Sequence, residues 1–212
     1  MNKLIFFTKT PKQGQVKTRL IPAVGATGAV EIHKELAQFT INRIKPSENW
    51  LNCRFEISFS GDDKALMVDW LGKEYCYSKQ DGCDLGEKMS NAFKSAFNEG
   101  YRKVVIIGTD CPEISKNDLK QAFDFLEYAD LVLGPAYDGG YYCIGLKSNQ
   151  SEIFKGIDWG SHLVFDQTIK AAEILQLKTQ MLPMHHDIDR PEDLALWKEI
   201  KNQNNQKLKE YL

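Results

Sequence analysis

The feature that most restricts the fold is a set of short runs with no polar residue inside them. Leu4-Ile5-Phe6-Phe7 and Val104-Val105-Ile106-Ile107 are apolar at every position. A strand with one wet face alternates, whereas a strand covered on both faces reads as a continuous apolar run. Such strands need helices on either side, and segments with helical rhythm follow them. In residues 28–45 the apolar positions are Ile32, Leu36, Phe39 and Ile44, with Pro46 as a stop. In residues 84–98, Leu85, Met89, Ala92, Phe93, Ala96 and Phe97 share one face, and Gly100 closes the end.

The same reading predicts strands at 3–8, 54–60, 74–78, 103–107, 131–133, 139–146 and near 179–182. Further helices are expected at 62–71, at 116–127 behind a Ser115 cap, around 163–175, and from Pro191 onward. Strand 103–107, the most β-branched, belongs at the centre. Repeated strand-then-helix units specify an α/β fold, a mostly parallel sheet with helices on both faces. With 212 residues and no internal repeat or linker, one domain is expected over 1–200. Residues 201–212, rich in Asn, Gln and Lys, read as a polar C-terminal extension that frays or extends the last helix.

Composition narrows the partners. The chain carries 27 Lys+Arg against 29 Asp+Glu, a formal net charge of -2. A nucleic-acid binder would need a basic surface, so no nucleic acid is expected. No apolar run approaches the ~20 residues of a membrane span, and the amino terminus is too short for a signal-peptide core. The five cysteines are scattered without a Cys-x-x-Cys pair, which argues against zinc knuckles and disulfides. A reduced, cytoplasmic setting is the expectation.

In open α/β sheets, ligands bind beyond the carboxyl ends of the strands. Five segments fall there. The loop after the first strand gathers Lys9, Lys12, Lys17 and Arg19 around Gly14, a composition suited to a phosphate and equally to a solvated basic loop. It is not a P-loop: Val16 stands where that motif needs glycine. Gly108-Thr109-Asp110-Cys111-Pro112 ends the central strand with a carboxylate fit for a hard cation or for a cap.

Asp138-Gly139-Gly140-Tyr141-Tyr142 offers a carboxylate, a permissive backbone and flat rings, although Asp-Gly is also a hairpin signal. In His185-His186-Asp187-Ile188-Asp189, the alternation points Asp187 and Asp189 the same way. One of these aspartates is expected to cap the helix opened by Pro191 and the other to reach a metal. The paired histidines make a poor zinc site. The fifth segment runs from Gln80 to Met89. There Asp84 is a good N-cap, and Gln80 is suited to hydrogen-bonding a base or sugar.

In this order the segments resemble the nucleotide-diphospho-sugar transferases of the glycosyltransferase-A-like fold. Within them they are most similar to the small bacterial branch named for arsenosugar biosynthesis. The matching pieces are Lys9-Thr10-Pro11 through Leu20, Asp84-Leu85-Gly86-Glu87, Gly108 to Pro112, Leu133 to Tyr142, Ile157-Asp158-Trp159 and Asp187 to Leu194. The resemblance implies a Mg2+ or Mn2+ ion at Asp110, with Asp187 or Asp189 as second carboxylate. It implies nucleotide contacts from Lys9, Gly14, Lys17, Arg19, Gln80, Asp84 and Gly108. Gly139, Gly140, Tyr141 and Trp159 would face the sugar or acceptor, and Asp138 would serve as base beside Lys17 and Arg19.

Two departures weaken the glycosyl reading. Pro112 replaces the second aspartate of an Asp-x-Asp pair, and Cys83 replaces the first glycine of Gly-Asp-Leu-Gly. The first departure is shared with nucleotidyltransferases that load a nucleotide onto a small phosphorylated metabolite or cofactor. The expected ligands are therefore a nucleotide-sugar or a nucleoside triphosphate, together with a small-molecule acceptor. A non-catalytic nucleotide-binding protein is the third reading.

Overall fold

The computed structural model describes residues 1–45 and 52–210, with side chains to residue 204. The Pro46 stop lies outside the described residues. Seven strands form one sheet: β1 (Asn2–Lys9), β2 (Cys53–Ser60), β3 (Cys76–Lys79), β4 (Lys103–Ile107), β5 (Leu131–Pro135), β6 (Tyr141–Leu146) and β7 (Thr179–Met181). Their order is β3-β2-β1-β4-β6-β5-β7, which puts β4 at the centre. β6 pairs antiparallel with both β4 and β5, and the other neighbours pair parallel.

Among the described residues, six α-helices flank the sheet: α1 (Ile21–Ile44), α2 (Lys64–Leu71), α3 (Leu85–Asn98), α4 (Lys116–Phe125), α5 (Val164–Ile174) and α6 (Leu194–Glu210). The apolar runs divide as a doubly covered strand must. Leu4, Phe6, Val105 and Ile107 face one core with α1, α2 and α4, while Ile5, Phe7, Val104 and Ile106 face another with α3 and α5. A third cluster seats Ile188 and Trp197 of α6 against Leu36 of α1. That cluster pins the segment between β7 and α6 over the end of the sheet.

Several boundaries differ from the pattern reading. α1 begins at Ile21 with Pro22 in its first turn and breaks at Gly25 (φ 73, ψ 168). This opening stretch is largely exposed, so no apolar rhythm announces it. Asp63 rather than Asp62 caps α2, accepting from the Leu66 N–H at 2.9 Å. β6 starts at Tyr141 because Gly139 and Gly140 are consumed by a turn, with Ala136 N–H donating to Gly140 O at 3.0 Å. α6, by contrast, follows one of the two readings of the polar tail, extending the last helix across residue 200 to Glu210.

Candidate active site

The carboxyl ends of β1 and β4 open into a cavity of about 460 Å³. Thr8 and Lys9 reach it from β1, Lys17, Thr18 and Arg19 from the basic loop, Gly108 to Cys111 from β4, and Asp187 and Asp189 from the segment before α6. Gly108 is open: a Cβ there would meet nothing within 4 Å, leaving room for a close-approaching ligand. Gln80 also lines the cavity, with its amide N–H groups donating to the carbonyls of Ser58 (2.9 Å) and Thr8 (3.2 Å).

Lys17 is the centre of the site. Its backbone is left-handed (φ 46, ψ 42), a conformation that only a well-determined loop imposes on a lysine. Its side chain is 2% exposed, with Nζ 2.8 Å from Asp110 Oδ1 and 3.8 Å from Asp189 Oδ1, and it donates to the Ile188 carbonyl. Arg19 holds the other oxygen of Asp189 at 2.5 Å. The Ile188 N–H returns to Asp110 O at 2.8 Å, stitching the pre-α6 segment to β4. Burial would raise the Asp110 carboxyl, but the Lys17 ammonium outweighs it and holds Asp110 below the usual carboxylate range.

Asp187 behaves in the opposite way. Burial, then the neighbouring charges of Asp110 and Asp138, push its carboxyl up to about 8. The predicted alternation holds: Asp187 and Asp189 both line the cavity, with Ile188 fully buried between them. Neither caps the following helix. Asp193 does that, accepting from the N–H groups of Asp189 (2.9 Å) and Arg190 (2.7 Å), so that expectation is corrected. Capping requires a side chain that folds back on the turn, and Asp193 sits inside it.

The donor set suits a hard divalent ion. Asp110, Asp187 and Asp189 offer oxygen only, the donor type that a hard cation takes. Among the described residues, no three His, Cys, Asp or Glu side chains converge as a preformed cage. An ion of the Mg2+ type needs only one or two carboxylates when phosphate and water complete its shell.

A second cavity of about 350 Å³ adjoins the first and shares Arg19, Leu85, Tyr141 and Asp187 with it. Asp138, Gly140, Trp159, His162 and Arg190 complete much of its wall. The Asp138 turn is tight. Gly139 has φ +88, and a Cβ on it would fall 2.1 Å from the His162 carbonyl oxygen. Asp138 Oδ1 accepts from the Gly140 N–H at 2.9 Å, so the hairpin and the cavity-lining readings of this residue hold together. Trp159 lies over Gly86 so closely that any side chain there would strike its ring.

Three expected contacts line neither cavity: Gly139, held in the turn against the His162 carbonyl, and two others. Gly14 occupies a positive-φ turn in the basic loop, and Asp84 caps α3 by accepting from Glu87 N–H at 2.8 Å. His185 faces Asp118 and His186 faces Glu113, so the histidine pair is spent on separate carboxylates. Cys111 lines the first cavity but is buried, and that burial keeps its thiol protonated.

Other wall residues escaped the sequence reading. His33 left a signal, as a titratable side chain on the buried face of α1. It is 3% exposed, its Nε2 is 3.0 Å from Lys9 O, and its ring lies 5.5 Å from Trp70. His162 and Arg190 left none, because only the fold brings them to Asp138.

The architecture and the placement of both cavities at the strand ends define a nucleotide-diphospho-sugar transferase-like α/β fold. The chain belongs to the family DUF2064, described as uncharacterized proteins conserved in bacteria, whose model matches residues 47–161. It is 32% identical to a provisionally named nucleotide-diphospho-sugar transferase from Desulfovibrio desulfuricans G20, whose solved structure superposes with a TM-score of 0.83 over 89% of this chain and 82% of that one. A 2-phospho-L-lactate guanylyltransferase from Methanobrevibacter ruminantium is 22% identical over 206 residues, covering 92% of this chain and 85% of that protein. A cytidylyltransferase from Leptospira borgpetersenii shares the fold, with a TM-score of 0.55 at 13% identity over 91% of this chain and 83% of that one. No helix among the described residues is long and apolar enough to cross a membrane.

Proposed function

We propose that this protein is a metal-dependent transferase that takes a nucleotide-activated substrate in the first cavity and a small acceptor in the second. The observation that carries the reading is the junction of the two cavities at Arg19, Tyr141 and Asp187, beside the Lys17–Asp110 pair. A donor phosphate at that junction would meet both cations. Asp110, with Asp187 or Asp189, would hold a Mg2+ or Mn2+ ion, which supplies charge neutralisation on the phosphates when bound. Lys17 and Arg19 would stabilise the charge that develops on the leaving group. Asp138, exposed at the wall of the second cavity, would take the acceptor's proton.

Two transfers fit this geometry. Glycosyl transfer from a nucleotide-diphospho-sugar is supported by the Desulfovibrio relative and by a carboxylate base on the acceptor side. Nucleotidyl transfer is supported at least as well, by the guanylyltransferase relative that spans nearly the whole chain and by the single aspartate of Asp110-Cys111-Pro112. Incubation with Mg2+ or Mn2+, a panel of nucleotide-sugars and nucleoside triphosphates, and phosphorylated and hydroxylic acceptors separates them. The resemblance to the arsenosugar branch adds arsenic-bearing acceptors to that panel. Release of nucleoside diphosphate from a sugar nucleotide marks glycosyl transfer, and release of pyrophosphate marks nucleotidyl transfer. Nucleotide binding without either product across the panel would overturn the catalytic reading.

A further inference from the structure

We infer that Lys17 is a tethered cation standing in the place of the divalent ion, so that the pocket admits the ion as its polyphosphate complex and holds the free ion poorly. This rests on the metal-dependent reading above and specifies which ligand the site accepts. Two of the ammonium's donors meet acceptors here, Asp110 Oδ1 at 2.8 Å and the Ile188 carbonyl, and Asp189 Oδ1 stands within ion-pair range at 3.8 Å. The side chain is 2% exposed, and its left-handed backbone aims it inward. Ile188 is itself immobilised in the cluster with Leu36 and Trp197, so the acceptor set is rigid.

Of the three candidate metal carboxylates, Asp110, Asp187 and Asp189, two are therefore already compensated from within the chain. Asp110 is neutralised by Lys17, and Asp189 by Lys17 and Arg19 together. A free divalent ion approaching them meets a fixed positive charge. It must also compete with an ammonium whose effective concentration is set by its own backbone. A polyphosphate reverses the balance. Its oxygens accept from the displaced Lys17 and from Arg19, while its charge and the carboxylates share the ion. Lys17 would thus pass from carboxylate to phosphate as the complex enters, and the two ligands would bind with positive coupling.

The test is ultrafiltration of the full-length protein with Mn2+, with and without inorganic tripolyphosphate, reading the Mn2+ retained by protein. Wild-type protein should retain Mn2+ about tenfold more tightly when tripolyphosphate is present, a coupling within the usual range between sites. Lys17→Met keeps the length of the stem and removes the charge; it should bind free Mn2+ about tenfold more tightly than wild type and lose most of the coupling. Lys17→Arg should keep free-ion binding weak. Should Lys17→Met fail to fold by circular dichroism, the wild-type coupling and Lys17→Arg still decide. Equal wild-type retention with and without tripolyphosphate would overturn the inference, as would a folded Lys17→Met with unchanged free-Mn2+ affinity; both leave the metal-dependent reading intact. Retention of no Mn2+ under any of these conditions would overturn the metal-dependent reading itself.

Discussion

Lys3 and Lys17 lie at opposite ends of the same fold and are built from the same chemistry. Their side chains are 3% and 2% exposed, and each sits between two carboxylates: Glu56 (2.9 Å) and Glu99 (3.0 Å) for Lys3, Asp110 and Asp189 for Lys17. Lys3 stands at the amino end of β1, also 5.0 Å from the Tyr101 ring, where nothing opens around it among the cavities described. Lys17 stands beyond the carboxyl end, on a left-handed backbone, and its partner Asp110 is 44% exposed to a cavity. Burial and pairing alone therefore do not mark a functional lysine. Position relative to the polarity of the parallel strands separates the two, because the strand-to-helix loops and the helix starts gather at the carboxyl end.

The comparison breaks most easily at Asp110. Asp110→Ala should abolish metal-dependent nucleotide binding, read by calorimetry with and without Mg2+. It should also cost about 2–3 kcal/mol in denaturant unfolding, since a buried ammonium loses its nearest carboxylate. Unaltered binding would remove Asp110 from the site. Asp138→Asn comes next: turnover should fall by about 100-fold with nucleotide affinity unchanged, since only a proton acceptor is lost. A variant with full turnover would place the base elsewhere.

Lys3→Met is the matching change at the closed end. It should destabilise the protein by about 2 kcal/mol by stranding Glu56, with nucleotide affinity unaffected in the same titration. A binding defect there would erase the distinction between the two lysines.

The smallest expected effect concerns His33. Burial holds its imidazole below the ordinary value of 6.5, so the unfolded chain takes up a proton first as the pH falls. Stability should decline as pH drops from about 6.5 toward the folded-state value and should level off below it. Urea unfolding across that range checks the slope, and His33→Gln should flatten it.

Much of the molecule was legible in local pattern. β4 occupies residues 103–107 as its apolar run requires. α3 carries its Asp84 cap and its predicted face from Met89 onward, whereas Leu85, expected on that face, is exposed at the rim of the two cavities. The basic loop, Asp110 and the Asp187/Asp189 alternation all converge on one cavity. Errors cluster where the signal is not periodic burial. The exposed opening turn of α1 has no apolar face, the Asp138-Gly139 dipeptide fits a strand edge and a turn alike, and three nearby acidic residues compete for one cap before Asp193 takes it.

The sequence by itself determined a two-faced sheet and which loops carry charge, because continuous apolar runs and helical periodicity are local consequences of burial. Only the tertiary structure decided that Lys17 pairs with Asp110, that Arg190 and His162 reach the wall near Asp138, and that Lys3 is sealed while Lys17 borders a cavity. Those facts depend on the order of the strands and on segments up to 171 residues apart meeting at one rim. Electrostatic energy is set by distance and exposure, and neither is encoded in the spacing of residues along the chain.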